Sequence, residues 1–393
     1  MAYRCPGKVR DSAVKLDMTD KELKREVFLS DPVLTEDEVN AVGDAIRSGW
    51  ITMGDRVRRF EEEFARVHDS DHAIAVASCT AGLHLILAAF GLGADDEVLV
   101  PSLTFVATAN TVRYTGAIPV LVDIESIHKP HMDPADARAR IGPRTRAIIV
   151  VHYGGWLCDM KAWRELADDH GLVLIEDAAH APGLESVGKY GDAAAFSFYG
   201  NKNMTTAEGG MVIVHDSGMR EGVRRLRSHG MTSLTLDRRA GHAYSYDVTD
   251  LGFNYRMDEL RAAMGLVQLG KLAGWNEYRR MLLQHYRQRT AGSPDGINIP
   301  FVDGDRTTAH LCPALIPADV DRDEAMRTLR GRGIHSSIHY PPVHKFSYYV
   351  AAFGEQVLPV TEEFASREIS LPIHPGMTIE DVDYVVQELL KLQ

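Results

Sequence analysis

The sequence predicts an α/β protein built around a mostly parallel sheet, and three observations carry the prediction. Seven short apolar runs occur before residue 216: HAIAVAS, EVLVPSL, IPVLVDI, RAIIVVHY, LVLIEDA, AAFSFYG and GMVIVHD. Several are continuous Val/Ile/Leu/Ala runs rather than alternating ones, as in strands covered on both faces. Most of the gaps between them are long enough for a crossover helix, which parallel neighbours require.

Residues 1–30 are mixed in charge, lack periodicity and read as an N-terminal arm. Thr35-Glu-Asp-Glu38 fits a capping box, with VNAVGDAIRSG as the helix behind it. The strand rhythm begins near residue 72, and residues 31–255 read as one large domain. After about residue 250 the texture changes. MDELRAAMGLVQLGKLAGWNEYRRMLLQHYRQRT has apolar residues at helical spacing and reads as one or two long helices. HLCPALIP, DRDEAMRTLRGRG and EDVDYVVQELLKL add shorter strands and helices, so residues 256–393 read as a smaller C-terminal α/β domain.

With 393 residues, 45% of them hydrophobic, the chain can bury a sizeable core. A formal net charge of -12 argues against nonspecific binding to nucleic acid or to acidic membranes. It leaves room for a phosphorylated small molecule in a locally positive site. Cys5, Cys79, Cys158 and Cys312 are widely spaced with no CxxC, which reads as free thiols in a reducing compartment. The polar N-terminus has no apolar signal core, and no apolar run approaches the roughly 18 residues of a membrane span. A cytoplasmic location is expected. The segment GIHSSIHYPPVHK holds His335, His339 and His344, but no cysteine or carboxylate is placed to complete a zinc shell, so no metal is expected.

Ligands of parallel α/β sheets bind beyond the carboxyl ends of the strands. LVLI ends in Glu176-Asp177-Ala178-Ala179-His180; AAFSF contains Ser197 and leads to Lys202. AIAVAS ends in Ser78-Cys79-Thr80-Ala81-Gly82 before the helix-like LHLILAAFG, and EVLVPSL leads to Phe105. A helix N-terminus offers free N–H groups to a phosphate, and Thr80 adds a hydroxyl. Phe105 can stack on a flat ring, Asp177 can hold a cationic ring nitrogen, and Lys202 can form an imine with an aldehyde. Phosphate, cationic ring and aldehyde together describe pyridoxal 5′-phosphate. Each residue alone has a plainer reading: Asp177 as a helix cap, Ser78 to Ala81 as an N-cap, Phe105 as core, Lys202 as surface.

EDAAHAPG, FSFYGNKNMTTAEGGMV and LGFNYRMDELRAAMGLVQL closely resemble the DegT/DnrJ/EryC1/StrS sugar aminotransferases. So do GWITMG, PSLTFVATAN, VHYGGWLCDM, HYPPVH and LPVTEEFASREISLPIHPGMT, in the same order. The resemblance implies a fold-type I transferase dependent on pyridoxal phosphate. It implies that Lys202 carries the cofactor as a Schiff base, Asp177 pairs with the pyridine nitrogen and His180 approaches the ring hydroxyl. Many members have glutamine where His180 stands. Ser197, Thr80 and Ala81 would hold the phosphate, and Phe105 would stack on the ring. Asn254 would reach the phosphate of a neighbouring subunit, implying a homodimer with shared active sites. Trp50 and Thr52 lie in the loop resembling one beside the family's site. His339, Tyr340 and His344 lie in a segment resembling one near the substrate, and Arg256 is either a donor-carboxylate contact or a brace for Asn254.

The implied reaction moves an amino group from L-glutamate to a keto sugar, one attached to a nucleoside diphosphate. Family members that act as sugar dehydratases carry histidine where Lys202 stands, so the lysine favours transamination. Aminocyclitol aminotransferases and aminohydroxybenzoate synthase relatives keep the lysine, and those readings stand beside it. A nicotinamide dehydrogenase would want GxGxxG after the first strand; the chain reads SCTAGLHL there. A noncatalytic paralogue would not need Lys202, Asp177 and Asn254 together.

Overall fold

The computed structural model describes residues 25–233, 245–292, 296–301, 304 and 306–392. Eleven strands occur among them: β1 (Ile74–Val76), β2 (Glu97–Pro101), β3 (Ile118–Val122), β4 (Ile124–Ser126), β5 (Lys129–Met132), β6 (Thr145–Val151), β7 (Val173–Asp177), β8 (Ala193–Ser197), β9 (Gly210–Val214), β10 (Cys312–Leu315) and β11 (Glu368–Leu371). The seven apolar runs form one sheet in the order β1-β9-β8-β7-β6-β2-β3. Every pair from β8 across to β3 is parallel, and β9 alone runs against its neighbours.

The continuous apolar runs have the expected cause. Val98 and Val100 of β2 and Ile149 of β6 pack into one core with the helices Cys79–Ala89 and Ala107–Tyr114. The alternate residues Leu99, Ile148 and Val150 pack on the opposite face with the helix Met160–His170. Both faces of the sheet are therefore buried, so no strand can alternate apolar with polar.

The reversal of β9 is also local in origin. No helix lies between β8 and β9, only residues 198–209, too short and irregular for a crossover, so the chain turns back antiparallel. Lys202 stands in that turn. Gly210 opens β9 where an added Cβ would sit 2.6 Å from the backbone N of Cys79, so the strand enters against the helix N-terminus.

The long C-terminal pattern is a single helix, Glu259–Thr290, of 32 residues. Its first half packs Ala262, Leu269 and Leu272 against Phe60 and Phe64. Its second half packs Leu282, Leu283 and Tyr286 against β10, β11 and the helix Ile379–Leu390. The capping box forms as read: Glu38 Oε2 accepts the Thr35 N–H at 2.8 Å. The β4–β5 hairpin was not anticipated from the sequence. Of the expected N-terminal arm, residues 1–24 and with them Cys5 lie outside the described residues. Val27 bonds the chain at Gly333 and His335. No helix among the described residues is long and apolar enough to cross a membrane.

Adjacent residues of β7 point to opposite faces, which separates the roles of Glu176 and Asp177. Glu176 is fully buried and anchors the loop between β7 and β8. It accepts the N–H groups of Gly188 at 2.9 Å and Gly191 at 2.8 Å, and His152 Nε2–H at 2.9 Å. The Cys158 N–H occupies His152 Nδ1, which fixes that tautomer. Burial opposes the charge of Glu176, but these three donors hold its carboxyl below the usual range. Glu176→Ala strands two buried N–H groups and an imidazole donor, and is expected to cost about 3 kcal/mol in urea unfolding of the protein. A loss within experimental error contradicts this anchoring role.

Candidate active site

The carboxyl ends of β7 and β8 and the N-terminus of the helix Cys79–Ala89 enclose a cavity of about 360 Å³. Thr80, Phe105, Asp177, His180, Ser197, Lys202, His339 and Tyr340 all line it. Residues read from five separated stretches of sequence thus meet in one place.

Ser78 caps the helix by accepting the Ala81 N–H at 3.1 Å. Ala81 is therefore tied to the cap and does not line the cavity, whereas Cys79 and Thr80 do. The first-turn N–H groups and the Thr80 hydroxyl form an end suited to an anion.

Asp177 closes another wall and is 5% exposed. Its Oδ2 accepts Thr108 Oγ1–H at 2.7 Å, and its Oδ1 accepts the Ala179 N–H at 3.1 Å. No helix follows Asp177 before β8, so the Ala179 bond is a turn contact and the plainer reading of Asp177 as a helix cap does not hold. Burial pushes the carboxyl up; Thr108 and Ala179 pull it part of the way back. Asp177 makes no ion pair among the described residues.

Lys202 sits in the β8–β9 turn, whose backbone is pinned by Phe198 N–H to Gly209 O, Thr206 N–H to Phe198 O and Lys202 N–H to Tyr199 O, each within 3.0 Å. Its ammonium has no hydrogen-bond or ion-pair partner among the described residues. Burial lowers its pKa from the ordinary 10.5 to about 8, against the opposing pull of Cys79 and Asp177.

Phe105 is 58% exposed and faces the cavity mouth, 5.9 Å from the Tyr340 ring. It is not a core phenylalanine. His180 accepts the Gly154 N–H on Nδ1 at 3.2 Å, so Nε2 carries the proton and donates to Tyr340 Oη at 3.0 Å. Burial and the neighbouring Lys202 push His180 well down, so the ring is neutral.

Other sequence candidates lie elsewhere. His344 is not among the residues lining the cavity: it is 1% exposed, with Nδ1 bonded to Ser102 Oγ at 2.6 Å and Nε2 to Glu362 at 3.1 Å. Both ring nitrogens are engaged within the fold. Trp50 donates to Met53 O at 3.3 Å, and Thr52 is exposed; neither lines the cavity. Asn254 is exposed beside Ser228, and Arg256 bridges to Val76, also outside the cavity wall.

The sequence reading missed His310. It lines the cavity with its ring 4.3 Å from that of His180. Its Nδ1 bonds Asn203 Oδ1 at 2.8 Å, and Asn203 Nδ2 donates to Asn276 Oδ1 and Thr308 O. The only available signal was the histidine in TAHLC, 108 positions after Lys202 and without a motif of its own. No cluster able to hold a metal ion occurs among the described residues.

An amine and a carboxylate, both buried, neither in an ion-pair contact among the described residues and both facing one cavity with an anion-binding end, fit an aldehyde-bearing cationic ring with a phosphate arm. The fold and site define an aminotransferase of the pyridoxal phosphate class. Residues 32–390 match the model of the "DegT/DnrJ/EryC1/StrS aminotransferase family". The chain is 39% identical over 378 residues to the spore coat polysaccharide biosynthesis protein SpsC of Bacillus subtilis, covering 93% of this chain and 97% of that protein. It superposes on Helicobacter pylori PseC, an aminotransferase involved in the biosynthesis of pseudoaminic acid, with a TM-score of 0.87 and 29% identity over 94% of this chain and 99% of that one. Bacillus subtilis NtdA, solved with its bound cofactor PMP, superposes with a TM-score of 0.84 and 28% identity over 94% and 86%. The chain belongs to the DegT/DnrJ/EryC1/StrS aminotransferase family. An enzyme of this family works with pyridoxal phosphate, and the cavity fits that cofactor.

In cofactor-free protein, the Lys202 amine is expected to react with an acylating reagent with a pH midpoint near 8. Ordinary surface lysines should titrate about two units higher. Peptide mass spectrometry across a pH series reads the midpoint; one indistinguishable from the surface lysines contradicts the burial argument.

Proposed function

We propose that the enzyme moves the amino group of L-glutamate to a keto sugar carried on a nucleoside diphosphate, in amino-sugar biosynthesis. The observation that carries this reading is the pair Lys202 and Asp177, each buried on the wall of one cavity with no ion-pair contact among the described residues. The names of the relatives, which concern polysaccharide and pseudoaminic acid biosynthesis, support the sugar class. A cytoplasmic location fits a substrate of this kind.

Bound there, pyridoxal phosphate supplies an aldehyde for the lysine and an electron-withdrawing cationic ring. Asp177 would hold the proton on the ring nitrogen, and Thr108 orients its carboxylate by donating to Oδ2. Thr80 and Ser197 line the cavity beside the helix N-terminus and would hold the phosphate arm. Phe105 would cover the ring face. Once the donor amine has displaced it from the cofactor aldehyde, Lys202 Nζ, whose free-amine pKa burial draws down, would take the proton from the donor α-carbon and pass it to the cofactor carbon that carried the aldehyde. His339 and Tyr340 face the sugar. Asn254, exposed on its own subunit, completes the site of a second copy in a homodimer.

Lys202→Ala is expected to reduce 2-oxoglutarate release from L-glutamate by more than about 10²-fold, the scale of a lost acid–base group. Wild-type rates in this variant contradict the assignment. Mixing inactive Lys202→Ala and Asn254→Ala subunits should restore activity, because one site of the mixed dimer is then intact. No recovery on mixing contradicts sharing. A panel of keto acceptors with and without a nucleoside diphosphate, free keto-inositol included, reads the acceptor class.

A further inference from the structure

His339 lines the cavity but is held from behind. Its Nδ1 lies 2.7 Å from Ser370 Oγ. Ser370 Oγ bonds Glu368 Oε1, and Glu368 Oε2 accepts the His339 backbone N–H at 2.8 Å. Glu368 and Ser370 are two apart on β11, so their side chains share a face. Glu368 is 1% exposed and has no ion-pair partner among the described residues. With Nδ1 engaged, Nε2 is the ring nitrogen left for the cavity.

Burial and the neighbouring Lys202 hold His339 down at about 3, so the ring is neutral and carries one proton. Two proton arrangements fit the same heavy-atom positions. With Glu368 ionised, Ser370 donates to the carboxylate and accepts from Nδ1–H, and Nε2 is a bare acceptor. With Glu368 protonated, its O–H donates to Ser370, Ser370 donates to Nδ1, and the ring proton sits on Nε2. The change balances: one proton enters at Nε2, one passes from Nδ1 to Ser370 Oγ, and one passes from Ser370 Oγ to Glu368.

We propose that Glu368 and Ser370 are positioning residues that decide whether His339 offers the cavity a hydrogen-bond donor or an acceptor. Burial pushes Glu368 up to about 8, so the changeover lies close to neutral pH. The groups around the relay do not duplicate it. Tyr153, Tyr340 and, on β10, Cys312 face Glu368; burial pushes all three up, so they stay protonated and neutral. Arg322 draws Glu368 down slightly. His180 and His310 interact with His339, and both are pushed well down and neutral. Lys202 also changes charge near pH 8 in cofactor-free protein, so the test must separate it from Glu368. A sugar ketone oxygen can only accept, so the Nε2–H form serves it and the acceptor KM rises as the pH climbs through about 8. That consequence rests on the proposed function; the tautomer does not.

The test uses holoenzyme labelled with ¹⁵N-histidine, with the His339 signals assigned by their absence in His339→Gln. Long-range ¹H–¹⁵N correlation should show Nε2–H below pH 8 and Nδ1–H above it. Glu368→Gln, whose amide N–H donates permanently to Ser370, should show Nε2–H throughout while Lys202 is untouched. Ser370→Ala should uncouple the ring from pH. A wild-type tautomer constant across the range, or a Glu368→Gln tautomer that still switches, overturns the proposal. A tautomer that switches while the acceptor KM stays flat overturns the contact of His339 with the sugar and leaves the relay standing. Unfolding gives a second readout. The folded pKa of Glu368 is raised, so its contribution to stability is full below the ordinary carboxyl range and is lost as the pH rises through about 8. Glu368→Gln should remove that slope.

Discussion

The structure is organised around two opposite charges that face one cavity without an ion-pair contact among the described residues. An unpaired buried charge is among the costliest features a fold can carry. Here the cost is reduced but not removed: Thr108 and Ala179 support Asp177, and Lys202 sheds part of its affinity for a proton. A cationic ring beside Asp177 and an aldehyde at Lys202 would resolve both, so the site is incomplete by construction. Its residues are arranged for a ligand rather than for one another.

The scaffold explains why the charges are held in place. A parallel sheet buried on both faces puts the carboxyl ends of β7 and β8 at one edge, and the helix N-terminus after β1 joins them there. The single antiparallel strand, β9, turns the chain back at Lys202 and closes against that helix through Gly210. Glu176, one residue before Asp177, anchors the return loop from the opposite face. The histidines add a layer of fixed polarity. His180 is set by the Gly154 N–H and His310 by the amide chain through Asn203 and Asn276, so adjacent rings show opposite tautomers.

Local pattern revealed much of this in the sequence. The seven strands were legible because burial on both faces leaves continuous apolar runs, and Asp177 and Lys202 were legible because they follow such runs directly. The hairpin of β4 and β5 was not, since IES and KPHM carry no alternation and no turn dipeptide to mark it. His310 reaches the cavity through the packing of β10 and the segment before it, a long-range placement that spacing does not encode. His344 shows the converse. Its neighbours in HYPPVH reach the cavity, yet its own ring turns to Ser102 and Glu362. Glu368 reads as an ordinary surface glutamate in SREISLP, and only the pairing of β10 with β11 shows it buried beneath His339.

The most direct test of the central claim is to incubate the purified protein with pyridoxal phosphate, reduce with borohydride, digest, and weigh the peptides. The account predicts one modified peptide, containing Lys202 and carrying the pyridoxyl group, and the same peptide unmodified when L-glutamate is added before reduction. Modification spread over surface lysines, or none at Lys202, would contradict it.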